Sequence, residues 1–138
     1  MELKRVVVTG LGAVTPLGNN LAETWQGLVS GVSGAAPITH FDATKFKTRF
    51  ACEVKNFDGT QLIGKEARKM DLFAQYAIVA SEEAIKDSKL DLPNEDRNKI
   101  GVVWGTGIGG IKTYFDEAKD FVLGDGTPRF SPFFIPKI

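Results

Sequence analysis

The chain has 138 residues, with 17 basic and 17 acidic side chains and 43% hydrophobic residues. A formal net charge of zero creates no field that would attract nucleic acid or an anionic membrane, so the sequence predicts neither partner. The apolar run near the N-terminus, Val6 to Val8, is too short for a secretion signal or a membrane span. We therefore expect a soluble chain, and its apolar content, with 10 Phe, predicts one sizeable core.

The first predicted element is a strand over residues 4–9, because this mostly β-branched run is typical of a strand covered on both faces in a parallel sheet. Gly10 and Gly12 then end it. A helix follows, with Asn20 as its N-cap and Glu23 in a capping-box position. Its apolar face is formed by Leu21, Trp25, Leu28 and Val29, and Gly31 closes its C-terminus.

Residues Thr48 to Val54 alternate in polarity, which predicts a half-exposed strand with Cys52 on the apolar side. Cys52 is the only cysteine, so it can form neither an internal disulfide nor a cysteine metal site, and this fits a reducing, cytoplasmic compartment. A reactive thiol needs a nearby cation or a helix N-terminus, so Cys52 is predicted to be structural. The only histidine, His40, has the surroundings of a loop, and these two residues predict no catalytic pair.

The second half of the chain predicts a helix, a strand, a glycine turn and a second helix, in that order. Apolar residues at helical spacing predict a long helix from about Arg68 to Ser88, with small residues on one flank. Residues 99–104 predict another buried strand. A glycine turn over residues 105–110 leads to a helix over about Ile111 to Leu123. Residues 124–136, rich in Gly, Pro and Phe, predict an irregular apolar segment, and no linker or repeat divides the chain.

The glycine turn Gly105-Thr-Gly-Ile-Gly-Gly110 matches the GxGxxG pattern of dinucleotide-binding proteins. Such a site also needs a second parallel strand that ends in an acidic residue about twenty residues later. Here that stretch is predicted to be helical and is followed by Gly-Asp-Gly. The pattern therefore favours a tight connection between a strand and a helix over a nucleotide site.

Five segments together resemble the β-ketoacyl-acyl carrier protein synthases, in particular the type II elongating enzymes. These segments are residues 5–18 (RVVVTGLGAVTPLG), 40–42 (HFD), 65–71 (KEARKMD), 105–110 (GTGIGG) and 131–136 (SPFFIP). The resemblance covers residues 1–138 as the N-terminal part of the synthase domain. It implies a thiolase-like layered α/β/α/β/α fold, of which this chain is part of the N-terminal half.

The resemblance implies that the parent protein is an acyltransferase of fatty acid biosynthesis. Its reaction would be a decarboxylative Claisen condensation of an acyl thioester with malonyl-acyl carrier protein, without a metal or organic cofactor. Its partners would be the acyl- and malonyl-loaded acyl carrier protein and a second subunit in a homodimer. The catalytic Cys-His-His set of the family would lie downstream of Ile138, so the resemblance assigns no catalytic residue to this chain and predicts that it is inactive alone.

Six residues take predicted roles from the resemblance. Lys65, Arg68, Lys69 and Arg129 match positions that dock the acidic recognition helix of the carrier protein. The alternative is that these cations lie at a solvated helix end. However, a helix N-terminus disfavours cations, because it is the positive end of the helix dipole. Ile108 matches a gate of the acyl pocket and Phe134 a residue that lines it across the dimer interface, whereas core packing would also explain two apolar side chains.

Two other interpretations of function stay open at this point. The same opening sequence fits a polyketide-type ketosynthase fragment. A free-standing chain would instead be a non-catalytic module that binds a carrier protein. Sequence reasoning does not fix the preferred acyl chain length.

Overall fold

A computed structural model describes residues 4–138. In chain order they form α1 (Leu21–Val29), β1 (Ala36–Pro37), β2 (Phe50–Ala51), α2 (Gly59–Ile63), α3 (Leu72–Ser88), α4 (Ile111–Leu123) and α5 (Phe134–Lys137). Gly64–Lys69 and Arg97–Lys99 are 3-10 helices. No helix in this part of the chain is both long enough and apolar enough to cross a membrane.

The described residues divide into two compact units. The first contains residues 4–57 and Ala80–Glu95, and the second contains Asp58–Val79 and Asp96–Ile138. Helix α3 contributes residues to both, so its N-terminal part belongs to the second unit and its C-terminal part to the first. Each unit is described by itself below.

Helix α1 of the first unit confirms the predicted caps. The Asn20 side chain accepts a hydrogen bond from the amide of Glu23 at 2.9 Å. The Glu23 carboxylate accepts one from the amide of Asn19 at 2.8 Å, one residue earlier than in a standard capping box. Gly31 adopts a φ of +65°, and the amides of Gly31 and Val32 return to the last turn of the helix in a Schellman arrangement.

The first glycine turn packs against the C-terminal part of α3. A Cβ at Gly10 would lie 2.2 Å from the carbonyl oxygen of Ala84, and one at Gly12 would lie 2.0 Å from that of Ala80. Neither Gly10 nor Gly12 has a positive φ. Close backbone approach, and not unusual backbone conformation, is therefore the reason for glycine at both positions.

Two predicted strands are wrong or shortened in the first unit. Residues 4–9 belong to no strand, and Val6 to Val8 are 63–89% exposed. No neighbouring segment of the described chain forms a ladder with them, and a strand cannot exist without such a partner. The predicted strand from Thr48 to Val54 is reduced to β2, which pairs antiparallel with β1 in the register Ala36 to Ala51.

The second unit contains a helix that the sequence analysis missed. Helix α2 begins after Asp58, whose carboxylate accepts hydrogen bonds from the amides of Thr60 and Gln61 at 2.9 and 3.3 Å. The hydrogen bond from the Thr60 hydroxyl is the main reason why the pKa of Asp58 is lowered. Asp58 and Gln61 form a capping-box pattern in the sequence, so this helix had a local signal.

The long helix starts later than predicted. The sequence pattern placed its beginning near Arg68, whereas α3 begins at Leu72. Gly64 has a φ of +71° and opens a 3-10 helix, and Met70 returns to extended backbone with φ −123° and ψ 147°. Apolar periodicity continues across this break, which explains why the pattern did not reveal it.

Helix α4 matches its predicted range, Ile111 to Leu123. The segment after it is irregular until Phe134, as predicted, but ends in the short helix α5. The predicted strand over residues 99–104 is wrong for the same reason as the first one. Its residues belong to no strand of the described chain, and Val102 and Val103 are 86% and 97% exposed.

The prediction of a sizeable core is also wrong for the described residues. The buried side chains among them are small, namely Ala43, Ala67 and Thr24, and no large side chain is fully buried. The apolar face of α1 is exposed as well, with Trp25 at 64%. The apolar residues that parallel strands and helix faces normally bury thus lie at the surface in residues 4–138.

Candidate functional site

The predicted basic residues at 65, 68 and 69 lie on the 3-10 helix and not on α3. This helix has three residues per turn, so side chains three apart eclipse each other. Lys65 and Arg68 therefore form one row and Glu66 and Lys69 a second row beside it. All four are exposed, while Ala67 between them is 1% exposed and anchors the segment.

Arg68 and Lys69 lie at the favourable end of the helix dipole. As residues of the start of a long helix, Arg68 and Lys69 would face the positive end of its dipole. In the structure they occupy the last turn of the 3-10 helix, where cations are favoured. Their position is thus favourable without an external anion, although both cations are exposed.

One of these cations is already paired. The Lys69 ammonium donates to both carboxylate oxygens of Glu66, at 2.8 and 3.0 Å, and lies 5.9 Å from the centre of the Phe133 ring. In contrast, neither Lys65 nor Arg68 forms an ion pair within the described part of the chain. The row with Lys65 and Arg68 therefore carries the unbalanced positive charge of this segment.

Arg129 lies in the irregular segment after α4 and is also paired. Its guanidinium donates to the Asp125 carboxylate at 2.8 Å. Asp125 also accepts from the backbone amide of Thr127 at 2.9 Å, and this hydrogen bond is the main cause of its lowered pKa. Arg129, Asp120 and Asp125 share the rim of a surface hollow of about 350 Å³. The surroundings of Arg129 are therefore acidic.

Ile108 lies in the second glycine turn, where it is 75% exposed. A Cβ at Gly105 or Gly107 would meet nothing within 4 Å among the described residues. Gly109, in contrast, has a φ of +67° and lies close to the backbone of Ile138. Ile108 thus fills no core void among the described residues.

Phe134 is held within an aromatic stack. Its ring centre lies 5.4 Å from that of Phe130 and 6.2 Å from that of Tyr114, and Phe121 continues the stack from Phe130 at 5.7 Å. These contacts fix the irregular segment to α4. The described residues therefore give Phe134 a packing role, which neither requires nor prevents contact with a second subunit.

The N-terminus of α4 has no room for a dinucleotide phosphate. Asp71, which immediately precedes α3, accepts hydrogen bonds from the hydroxyl and the amide of Thr113 in the first turn of α4. A phosphate would need those amides and would be repelled by the carboxylate. A Cβ at Gly110 would also lie 1.9 Å from the carbonyl oxygen of Lys137. The last two glycines of the pattern, Gly109 and Gly110, are thus used for packing.

The first glycine turn is satisfied by carboxylates that sequence reasoning missed. The amide of Ala13 donates to Glu83 at 2.9 Å, and the amide of Leu11 donates to Asp87 at 2.9 Å. Glu83 also accepts from the amide of Leu21 at the start of α1, at 2.9 and 3.1 Å. The spacing of four between Glu83 and Asp87 puts both on one face of α3, which is the signal that could have revealed them.

Cys52 is exposed, and this corrects the prediction that it packs inward. It lies just beyond β2 and borders a shallow apolar depression together with Leu17 and Leu28. His40 is exposed as predicted. Its ring lies 3.9 Å from Glu53, whose pKa is lowered mainly by the hydroxyl of Thr39. Among the described residues, no three His, Cys, Asp or Glu side chains are grouped as metal ligands.

Comparison with known proteins identifies the family of this chain. Residues 3–137 match the model of the family described as beta-ketoacyl synthase, N-terminal domain. The chain is 51% identical over 137 residues to the 3-oxoacyl-(acyl-carrier-protein) synthase 2 of Synechocystis and 45% identical to that of Vibrio harveyi. Each match covers 99% of this chain and 33% of the relative, so the chain spans about a third of the length of these curated relatives.

Solved structures give the fold. The ishigamide ketosynthase/chain length factor superposes with a TM-score of 0.74 at 28% identity, over 96% of this chain and 33% of that one. A type II PKS ketosynthase in complex with its acyl-carrier protein superposes with a TM-score of 0.72 at 30% identity, over 95% of this chain and 35% of that one. The chain therefore has the α/β fold of part of a thiolase-like ketosynthase, as predicted.

Proposed function

Because this chain belongs to the β-ketoacyl synthase family, whose N-terminal domain it matches over residues 3–137, we propose that it forms the N-terminal part of a 3-oxoacyl-(acyl-carrier-protein) synthase of type II. The observation that carries the proposal is 51% identity over 99% of the chain to a relative of that name. Such an enzyme acts in the cytoplasm in fatty acid biosynthesis and works as a homodimer.

The proposed reaction is decarboxylative Claisen condensation. An acyl group first moves from a carrier thioester to an enzyme cysteine, which releases the carrier thiol. Malonyl carrier protein then loses carbon dioxide, and the enolate carbon that remains attacks the acyl thioester. A carbon–carbon bond forms and the cysteine thiolate leaves, while hydrogen-bond donors stabilise the negative oxygen of each intermediate.

The described residues contribute binding surfaces to this reaction and no reacting group. The single cysteine is exposed just beyond β2, the single histidine lies 3.9 Å from Glu53, and no hydrogen bond joins the two side chains in this part of the chain. We assign the catalytic Cys-His-His set to the remaining length of the enzyme, since this chain spans 33% of its relatives.

The exposed row of Lys65 and Arg68, with Lys69 and Arg129, is the proposed docking surface for the acyl carrier protein. Its support is the unpaired charge of Lys65 and Arg68 among the described residues and the similarity to a ketosynthase solved with its acyl-carrier protein. Exposed cations steer an acidic partner and set its orientation more than they add affinity.

Ile108 and Phe134 are the proposed acyl-pocket residues. The support for Ile108 is its 75% exposure in a glycine turn that leaves space around it. Phe134 lies in an aromatic stack, and Phe133, which precedes it in sequence, is 39% exposed. A second subunit would complete the pocket at this segment.

A polyketide ketosynthase is the second candidate. The observation in its favour is that one structural neighbour, with a TM-score of 0.72, is named as a type II PKS ketosynthase, and another, with a TM-score of 0.74, as a ketosynthase/chain length factor. Their sequence identities of 28% and 30% lie well below the 51% and 45% of the fatty acid synthase relatives. We therefore prefer the fatty acid enzyme, and product analysis with the full-length protein distinguishes a single elongation from repeated condensation.

The docking proposal is tested by the double change Arg68→Glu and Lys69→Glu in the full-length enzyme. We expect weaker binding of acyl carrier protein and a shallower dependence of the dissociation constant on salt, with each contact worth about 1 kcal/mol or less. Lys45→Glu with Lys47→Glu is the matched control, because both lysines are exposed and the charge change is the same. Equal effects of the two double variants would refute the docking surface.

A second test concerns Cys52. Cys52→Ala in the full-length enzyme should leave condensation unchanged, and the isolated 138-residue chain should make no β-ketoacyl product. A product from the isolated chain that disappears with Cys52→Ala would make Cys52 the nucleophile and overturn its structural assignment.

A further inference from the structure

Two of the four proposed docking cations are bound by carboxylates of this same chain. Lys69 is paired with Glu66 at 2.8 Å, three residues away, and Arg129 with Asp125 at 2.8 Å, four residues away. In both pairs each side chain is 46–74% exposed, so a partner protein can reach them. An acidic partner would therefore compete with these carboxylates for the charge of the same ammonium and guanidinium groups.

From these pairs, and resting on the docking function proposed above, we propose that Glu66 and Asp125 are intramolecular competitors of the acyl carrier protein. Each carboxylate holds one docking cation in the free enzyme, and docking exchanges that carboxylate for one on the acidic surface of the carrier. Lys65 and Arg68 need no such exchange and make the first contacts. The exchange favours a strongly acidic carrier over weakly acidic proteins, which cannot displace the internal partner.

The geometry makes the two competitors effective in different ways. The 3-10 helix eclipses residues three apart, so Glu66 and Lys69 are held side by side, and the nearby Phe133 ring keeps the ammonium in place. Asp125 is fixed by the Thr127 amide, which also lowers its pKa, so its carboxylate stays ionised at a pH where an ordinary aspartate begins to protonate.

The test measures the dissociation constant of acyl carrier protein for Glu66→Gln and for Asp125→Asn in the full-length enzyme. Both changes remove a charge and keep the shape, and the side-chain amide oxygen introduced by Asp125→Asn can still accept from Thr127. Each variant should bind the carrier about two- to fivefold more tightly, the range expected for one exposed ion pair. Glu82→Gln is the control, because Glu82 is exposed and forms no ion pair among the described residues.

A double-mutant cycle separates competition from a simple change in net charge. If Glu66 acts through Lys69, the gain from Glu66→Gln must be smaller in a Lys69→Met background, where only repulsion by a free carboxylate is left to remove. The same holds for Asp125→Asn in an Arg129→Met background. Equal gains with and without the cation, or a gain as large for Glu82→Gln, overturn the proposal.

The docking function itself fails in a different way. If Arg68→Glu with Lys69→Glu leaves carrier binding unchanged, the surface is not a docking site and the competition falls with it. If that double variant binds weakly while Glu66→Gln and Asp125→Asn give no gain, the docking surface stands and the competition alone is refuted.

Discussion

The two glycine-rich turns of this chain have similar sequences and different surroundings. At Gly10 and Gly12 a Cβ would collide with the carbonyl oxygens of Ala84 and Ala80 at 2.2 and 2.0 Å. At Gly105 and Gly107 a Cβ would meet no atom within 4 Å among the described residues, and neither residue is among those with a positive φ. The first turn is explained by contacts inside its unit. In the second turn, Gly109 and Gly110 lie close to the backbone of Ile138 and Lys137, but no such contact explains glycine at positions 105 and 107.

This difference indicates that the contacts of Gly105 and Gly107 lie outside the described residues. A glycine that is neither crowded nor in the left-handed region has no reason for its identity in the described residues. In the proposed enzyme the reason would be the acyl group, while the remaining two thirds of the protein would cover the exposed segments around Val7 and Val103. The proposed docking cations differ in a similar way, because Lys69 and Arg129 are paired with carboxylates of this chain and Arg68 is not, among the described residues. Four predictions test these differences.

The largest expected effect is at the first turn. Gly12→Ala places a methyl group 2.0 Å from the Ala80 carbonyl oxygen, and backbone cannot move away as a flexible side chain could. We expect a loss of about 3 kcal/mol or more of stability, seen as a lower melting temperature and a low soluble yield of the full-length enzyme.

Gly107→Ala is the matched control for that change. It should alter the melting temperature little if measured with the acyl pocket empty. A melting temperature that falls equally in both variants would show that the second turn is as tightly packed as the first, and the comparison between the turns would be wrong.

The next effect concerns Glu83, which holds the first turn and α1 through the amides of Ala13 and Leu21. Glu83→Ala leaves both amides without this acceptor in a half-buried place, so we expect a loss of about 1 to 3 kcal/mol. Glu82→Ala, a change at the exposed neighbour on the same helix, is the control. Urea denaturation measures both, and a similar midpoint for the two variants would contradict the anchoring role.

The elements that were predicted correctly depend on local signals in the sequence. The caps of α1 and the range of α4 were correct because Asn20, Gly31 and the turn before Ile111 act within a few residues. The 3-10 helix was missed because it depends on the φ of Gly64 and on one extended residue, Met70, neither of which changes the apolar pattern.

The predictions of strands over residues 4–9 and 99–104 were wrong for a different physical reason. A buried-type run such as residues 99–104 reports a preference for neighbours on both sides, and it does not say where those neighbours are in the chain. Among the site residues, Lys65, Arg68 and Lys69 were predicted at the start of the long helix but lie on the 3-10 helix. The pairing of Lys69 with Glu66 and of Arg129 with Asp125 was not predicted, although the spacings of three and four were visible.

The third prediction tests the open turn through Ile108. Ile108→Phe in the full-length enzyme should reduce priming by long acyl groups about tenfold more than priming by short ones, because added volume at a pocket wall excludes the longer chain. Rates with acyl carrier proteins of different chain length provide the measurement. An equal loss for all chain lengths that follows a lower melting temperature would assign Ile108 to packing.

The smallest expected effect extends the comparison to single charges. Arg68 has no ion-pair partner within residues 4–138, whereas Lys69 is held by both oxygens of Glu66. Carrier binding therefore gains the full contact at Arg68 and only the difference between two carboxylate partners at Lys69. Arg68→Ala should weaken carrier binding by up to about 1 kcal/mol and Lys69→Ala by clearly less, as titration at low salt can measure. The order should reverse or vanish if Glu66 does not hold Lys69 in solution, and the two variants would become equal at high salt in either case because both contacts are exposed.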